Sequence, residues 1–218
     1  MSLLSDQDRQ TVVKHLSAIT HPVTLLFFTQ TFGAPDSVRA ARQVLDEIVP
    51  LNAHLAIEEV NLILERDRAA QYGVDQVPAI AVLRDQEDTG IRFLGAPSGY
   101  EFMSLLEAVV LAGTDDSGLT QASKDLIAAQ VTAPMTIDVF VTPTCPHCPR
   151  AVTLAHRMAA ESPHIRATCI EATEFLDLSR QYRVTGVPKT VVNGTIEIMG
   201  AVPEDVFVRT AVGVPGTS

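Results

Sequence analysis

The sequence predicts an α/β protein built from two tandem copies of one unit. Three observations carry that prediction: an internal repeat, the same order of helical and extended patterns in both halves, and a strong hairpin signal late in the second half. The repeat is direct. QYGVDQVPAIAV (71–82) lies 110 residues before QYRVTGVPKTVV (181–192), and six of the twelve positions are identical, Val77-Pro78 and Val187-Pro188 among them. HPVTLLFF (21–28) lies 112 residues before APMTIDVF (133–140), and GAPSGYEF (95–102) lies 105 before GAVPEDVF (200–207). Three blocks in one order, with offsets that drift by a few residues, mark a duplication whose loops differ in length. The units are expected at residues 1–114 and 115–218.

Each unit opens with an amphipathic helix. In the first, Ser5 with Asp8 gives a capping-box start, and Val12, Val13, Leu16 and Ile19 line one face. A proline ends the helix, and β-rich runs follow at 23–29 and 135–141. Next come a helix (36–48 and 146–161), a strand (54–59 and 164–170) and another helix (62–72 and 173–182). After each Val-Pro come two short strands. In the second unit they flank Asn193-Gly194, a preferred hairpin turn because both residues tolerate positive φ. In the first unit the looser RDQEDTG (84–90) fills that turn. A last helix closes each copy (99–112 and 203–213), and Gly113 with TDDSG (114–118) marks the seam.

Composition narrows the function. An apolar fraction of 46% supports a packed core and excludes a disordered chain. A net charge of −10, with arginines scattered and no basic run, argues against nucleic-acid binding. No stretch approaches the roughly 20 apolar residues of a membrane helix. The N-terminal MSLLSDQDRQ lacks the basic and apolar regions of a secretory signal, so the expected location is cytoplasmic. Three cysteines in that compartment do not make a disulfide scaffold; a Cys-x-x-Cys pair there is catalytic or metal-binding.

That pair is Cys145 and Cys148, in PTCPHCPR (143–150). It stands where a strand gives way to a helix. The free N–H groups and partial positive charge of a helix N-terminus favour thiolate over thiol, which activates Cys145 as a nucleophile. Pro146 suits a first helical turn, with its φ preset and no N–H to waste. Cys148, one turn on, can resolve a mixed disulfide on Cys145. His147 can donate a hydrogen bond or charge to the Cys145 thiolate, which makes the disulfide more oxidising. Two other readings stand beside this one: two thiols buried in an ordinary turn, and half of a zinc or iron–sulfur site. A structural zinc needs about four ligands, usually two such pairs, and the one other cysteine, Cys169, falls inside an expected strand. Cys169 reads as a buried strand cysteine. Arg150 and Lys189 flank the expected site.

The unit order β-α-β-α-β-β-α, with Val-Pro before the third strand, resembles the thioredoxin fold, a mixed β-sheet flanked by helices. The tandem arrangement, with FLGAPSGYEFMSLLEAVV (93–110), TCPHC (144–148) and GVPKTVVNG (186–194), resembles the protein disulfide oxidoreductase (glutaredoxin-like) family. It is also similar to the N-terminal thiol-relay region of the flavoprotein component of bacterial alkyl hydroperoxide reductase. No GxGxxG occurs, so any likeness to that flavoprotein is to its thiol-relay part. The resemblance implies a dithiol–disulfide oxidoreductase with a redox-active Cys145–Cys148 disulfide and no bound cofactor or metal. It implies a flavin-dependent, thioredoxin-reductase-like donor and protein disulfide substrates, a peroxiredoxin among them. It implies that Val187-Pro188 is cis and lets an extended substrate segment pair beside the disulfide. Thioredoxins carry a buried Asp six residues before the first cysteine; that position here is Val139, and strand alternation points the adjacent Asp138 the other way. By resemblance, Glu101 in GYEF is the replacement acid/base, and its partner in the repeat is Val206. GAPD (33–36) lines up with CPHC, so the first unit has no redox pair. A disulfide oxidase or isomerase is the rival within the same chemistry. A non-catalytic binding scaffold is the rival outside it. Oligomeric state and glutathione dependence stay open.

Overall fold

A computed structural model describes residues 3–214. Its first half runs α1 (Asp6–Leu16), β1 (Val23–Thr29), α2 (Asp36–Ile48), a short 3-10 turn, β2 (Leu55–Asn61), α3 (Arg66–Gln71), β3 (Ala79–Arg84), β4 (Glu87–Leu94) and α4 (Glu101–Ala112). The second half repeats it as α5 (Gln121–Gln130), β5 (Met135–Val141), α6 (Cys148–Glu161), β6 (Ile165–Glu171), α7 (Leu176–Gln181), β7 (Lys189–Val192), β8 (Ile196–Met199) and α8 (Glu204–Ala211).

All eight strands form one continuous sheet in the order β2-β1-β3-β4-β6-β5-β7-β8. Within each half the first strand pairs parallel with the second and antiparallel with the third. The halves join where β4 lies parallel to β6, with Phe93 opposite Cys169. Six helices cover one face over a single apolar core that runs through both halves, from Val12 and Leu45 to Val152 and Phe207. Among the described residues the other face carries α3 and α7. Each covers its own small core, Leu26, Phe28 and Val60 under α3 and Phe140, Ile170 and Val191 under α7. Alternation along β5 sorts its residues in this way: Ile137, Val139 and Val141 face the large core, Phe140 the small one.

Local chemistry sets the element ends. Ser5 Oγ accepts from the Asp8 N–H at 3.2 Å and caps α1, as the sequence predicts. Val13 departs from expectation: it is exposed, and the buried stripe of α1 is Val12 and Leu16. Helices α3 and α7 start later than expected because side chains hold the preceding turns. Asn61 Oδ1 accepts from the Ile63 and Leu64 N–H groups, each at 3.0 Å. Glu171 does the same for Thr173 and Glu174. The β7–β8 turn places Asn193 and Gly194 at φ 49° and 70°, the left-handed region the hairpin needs. The β3–β4 turn is tighter than the sequence suggests. Asp85 and Gln86, at φ 48° and 70°, make a two-residue turn, and β4 already begins at Glu87.

Candidate active site

Strand β5 ends at Val141, and the chain turns through 142–147 before α6 begins. The Cys145 N–H donates to Thr142 O at 3.1 Å, which closes that turn. Cys145 and Cys148 are joined in a disulfide with Cα atoms 5.5 Å apart. Cys145 keeps 8% of its surface exposed and Cys148 none, so an incoming group meets Cys145 first. The helix starts at Cys148 rather than at 146, because Pro149 has no N–H to donate to the Cys145 carbonyl. Pro146 therefore sits in the turn, and the proline in the first helical turn is Pro149. His147 is the exposed residue that precedes the helix, and its side chain makes no cap bond. Cys145 still lies at the open N-terminal end of α6, where free N–H groups favour a thiolate once the bond is reduced.

Val187 and Pro188 come just before β7, joined by a cis peptide bond, and Val77-Pro78 in the first half is also cis. Val187 is half-buried against the core that holds Cys145 and Cys148. Lys189 does not flank the site. It is buried on the α7 side, where its ammonium donates to Tyr182 O at 2.6 Å and meets Glu197 at 2.8 Å. Asp138 faces that side too, as alternation predicts, with its carboxyl pushed up by burial.

The candidate acid comes from the other half. Because β4 pairs with β6, the chain leaving β4 crosses directly onto the second unit. The Tyr100 N–H donates to Pro143 O at 2.9 Å, two residues before Cys145. Gly99 allows this approach: its φ is +58°, and a Cβ there would stand 2.2 Å from Pro143 O. Glu101 then begins α4 and turns inward, only 2% exposed. Burial pushes its carboxyl up to about 7, against the pull of a hydrogen bond from Cys169. Counted from the first residue of each closing helix, its counterpart is Glu204 rather than Val206, since the loop before α4 is longer. Glu204 stays near the surface and binds Thr120 and Ser123 at the start of α5.

One contact escaped the sequence. Cys169 Sγ donates to Glu101 Oε2 at 3.1 Å, inside the core. Strand alternation could have placed Cys169 on the Val139 side. Its meeting with Glu101 depends on the β4–β6 seam, which no local pattern announces. Among the described residues no group of three or more His, Cys, Asp or Glu could hold a metal ion, and no helix is long and apolar enough to cross a membrane.

The fold and the disulfide at the head of α6 define a thioredoxin-like protein disulfide oxidoreductase. Residues 135–213 match the family model described as "Thioredoxin domain". Over 170 residues, 77% of the chain, the sequence is 29% identical to the alkyl hydroperoxide reductase AhpF of Staphylococcus epidermidis. The chain spans about 30% of the length of that relative. The crystal structure of the NTD_N/C domain of alkylhydroperoxide reductase AhpF from Enterococcus faecalis superposes with a TM-score of 0.89 at 26% identity, covering 95% of this chain and 99% of that one. A protein disulfide oxidoreductase from Aeropyrum pernix K1 superposes at 0.87 with 25% identity, covering 98% and 96%. The chain is thus similar to both groups along nearly its whole length.

Proposed function

We propose that the chain is a thiol relay, which takes electrons from a flavin-dependent, thioredoxin-reductase-like donor and reduces protein disulfides, with a peroxiredoxin as the acceptor. The observation that carries this reading is a nearly buried Cys145–Cys148 disulfide in the same core as Cys169, to which the buried Glu101 carboxyl is hydrogen-bonded. The likeness to the alkyl hydroperoxide reductase AhpF supports the choice of donor and acceptor. The compartment that suits this chemistry is the cytoplasm.

In the reduced form, the Cys145 thiolate attacks one sulfur of the substrate disulfide. A Cys145–substrate bond forms, the substrate S–S bond breaks, and the first substrate thiolate leaves. Val187 and Pro188 border the groove in which the substrate segment lies, and His147 at its rim favours the thiolate. Cys148 then gives its proton to the Glu101 carboxylate and attacks Cys145. The Cys145–Cys148 bond forms, the mixed disulfide breaks, and the second thiolate leaves with two electrons transferred. Glu101 returns its proton to the departing thiolate or to solvent. Pro146 keeps the turn between the cysteines compact. The donor restores the dithiol by the reverse exchange.

Titration of the Cys145–Cys148 couple against a defined dithiol buffer tests the reading. A potential near that of thioredoxin, about −270 mV, fits a reductase that feeds a peroxidase. A potential of about −120 to −180 mV points to disulfide formation or isomerisation and ends this proposal. Absence of any reversible couple makes the chain a binding scaffold.

A further inference from the structure

Cys169 is a thiol for which the relay has no stated use. It lies on β6, opposite Val139 on one side and Phe93 on the other, 3% exposed. Burial and the adjacent Glu101 charge push the thiol well above its ordinary range, so it stays protonated and acts as a donor, not a nucleophile. Its acceptor is Glu101 Oε2, while Glu101 Oε1 is buried with no hydrogen-bond partner among the described residues. One oxygen of the acid is thus pinned and the other is unclaimed.

We propose that Cys169 is a positioning residue of the redox site: its S–H fixes Oε2 of Glu101 and leaves Oε1 as the oxygen that takes the Cys148 proton. This rests on the acid/base role of Glu101 proposed above. The surroundings leave Cys169 as the group able to do it. From β6, Glu171 also faces Glu101, but as a second carboxylate it can only repel the ionised form. On α4 itself, the Ser104 hydroxyl lies one turn down; it favours the charged carboxyl but makes no hydrogen bond to it. From α6 come Cys148 and, about two turns further on, the buried His156. On α1, His15 meets α4 at Glu107, farther along the helix. Strand β3 presents no titratable side chain to this end of α4.

The test is single-turnover oxidation of the reduced full chain by a small symmetrical disulfide, followed from about pH 5 to 9 in the parent, Cys169→Ala, Cys169→Ser and Glu101→Gln. In the parent the resolving step should rise with a midpoint at about 7. Loss of a hydrogen bond to a charged acceptor moves such a midpoint up by about one to two pH units, so Cys169→Ala should resolve at least about five-fold more slowly at neutral pH. The first attack by Cys145 should keep its rate. Cys169→Ser, which keeps a donor, should move the midpoint back towards the parent. An unchanged midpoint in Cys169→Ala, with the profile flattened in Glu101→Gln, overturns the role of Cys169 and leaves the relay intact. A parental profile in Glu101→Gln overturns the acid role itself. Should Cys169→Ala fail to fold, the oxidised parent provides a second reading. Cys169 is then its one free thiol, and its S–H infrared band should shift as Glu101 ionises. A band that stays fixed across that pH range refutes the hydrogen bond.

Discussion

Replacing Glu101 by glutamine should stabilise the oxidised protein, and the gain should depend on pH. Glu101 is 2% exposed, so solvent screening does not weaken the effect. Its carboxyl titrates at about 7 in the folded chain against an ordinary 4.5. The folded state therefore holds this proton more tightly than the unfolded state does. Stability from the group is complete below about pH 4.5 and is lost as pH rises through 7. The interval, 7 − 4.5, is 2.5 pH units, and each is worth about 1.36 kcal/mol, so the parent gives up about 3 kcal/mol by pH 8. Glutamine has nearly the same shape and no proton to lose. Urea unfolding of both proteins, with the disulfide intact, measures the difference at each pH. Taking the difference cancels the other carboxylates, which titrate in both. The advantage of Glu101→Gln should grow by about 3 kcal/mol between pH 4.5 and 8, or about 6 to 12 °C in Tm for a chain of this size. A difference that stays constant within about 0.5 kcal/mol would refute the buried, high-titrating acid.

Four other substitutions probe named groups. Cys148→Ser should leave the first attack intact and accumulate a stable mixed disulfide between Cys145 and a substrate, seen by mass spectrometry, whereas Cys145→Ser should trap none. Gly99→Ala forces a Cβ to within 2.2 Å of Pro143 O at a φ of +58°, so it should cost on the order of 1 to 3 kcal/mol in urea unfolding and slow resolution by displacing Glu101. His156, buried with its imidazole pushed down to about 3 by burial, contributes stability that is full above about pH 6.5 and is lost as pH falls towards 3. His156→Leu should abolish that part of the acid sensitivity, on the order of 5 kcal/mol by pH 3, in unfolding curves measured on both proteins.

Where a short stretch of chain decides its own conformation, the sequence is readable. Ser5 caps α1 through Asp8, Asn193-Gly194 turns the last hairpin, and alternation sends Val139 and Asp138 to opposite faces. The Cys145–Cys148 pair is legible for the same reason: two thiols three residues apart at a strand-to-helix junction need no distant partner to be recognised. Turn chemistry is harder to read. Asn61 and Glu171 delay α3 and α7 by binding the next N–H groups, a competition that helical periodicity does not register. Long-range pairing is hardest. Nothing in the residues of β4 says that its free edge will take β6, and the contacts that depend on that choice stay hidden, the Glu101–Cys169 bond above all.

In the proposed relay, that seam gives the first half a role without cysteines. A dithiol site needs a group to accept the resolving proton, and the second half has Val139 where a buried acid would serve it. In the proposed relay the neighbouring half supplies the acid instead. For this to work, two backbones must come closer than side chains allow, and glycines stand at both approaches. Gly90, at φ +74°, brings β4 against Ile165 O, where a Cβ would be 2.2 Å away, and Gly99 brings the start of α4 against Pro143 O. The first contact sets the register of the shared sheet, and the second sets the depth at which Glu101 enters the core. Because the sheet is continuous and the core beneath it is shared, the Glu101 carboxyl cannot drift from Cys169 on β6 without disturbing the β4–β6 pairing. In the proposed relay, the first half acts as a rigid arm that carries one carboxyl to its partner. In that arrangement the GAPD loop of the first half, which has no cysteine, carries no part of the redox chemistry.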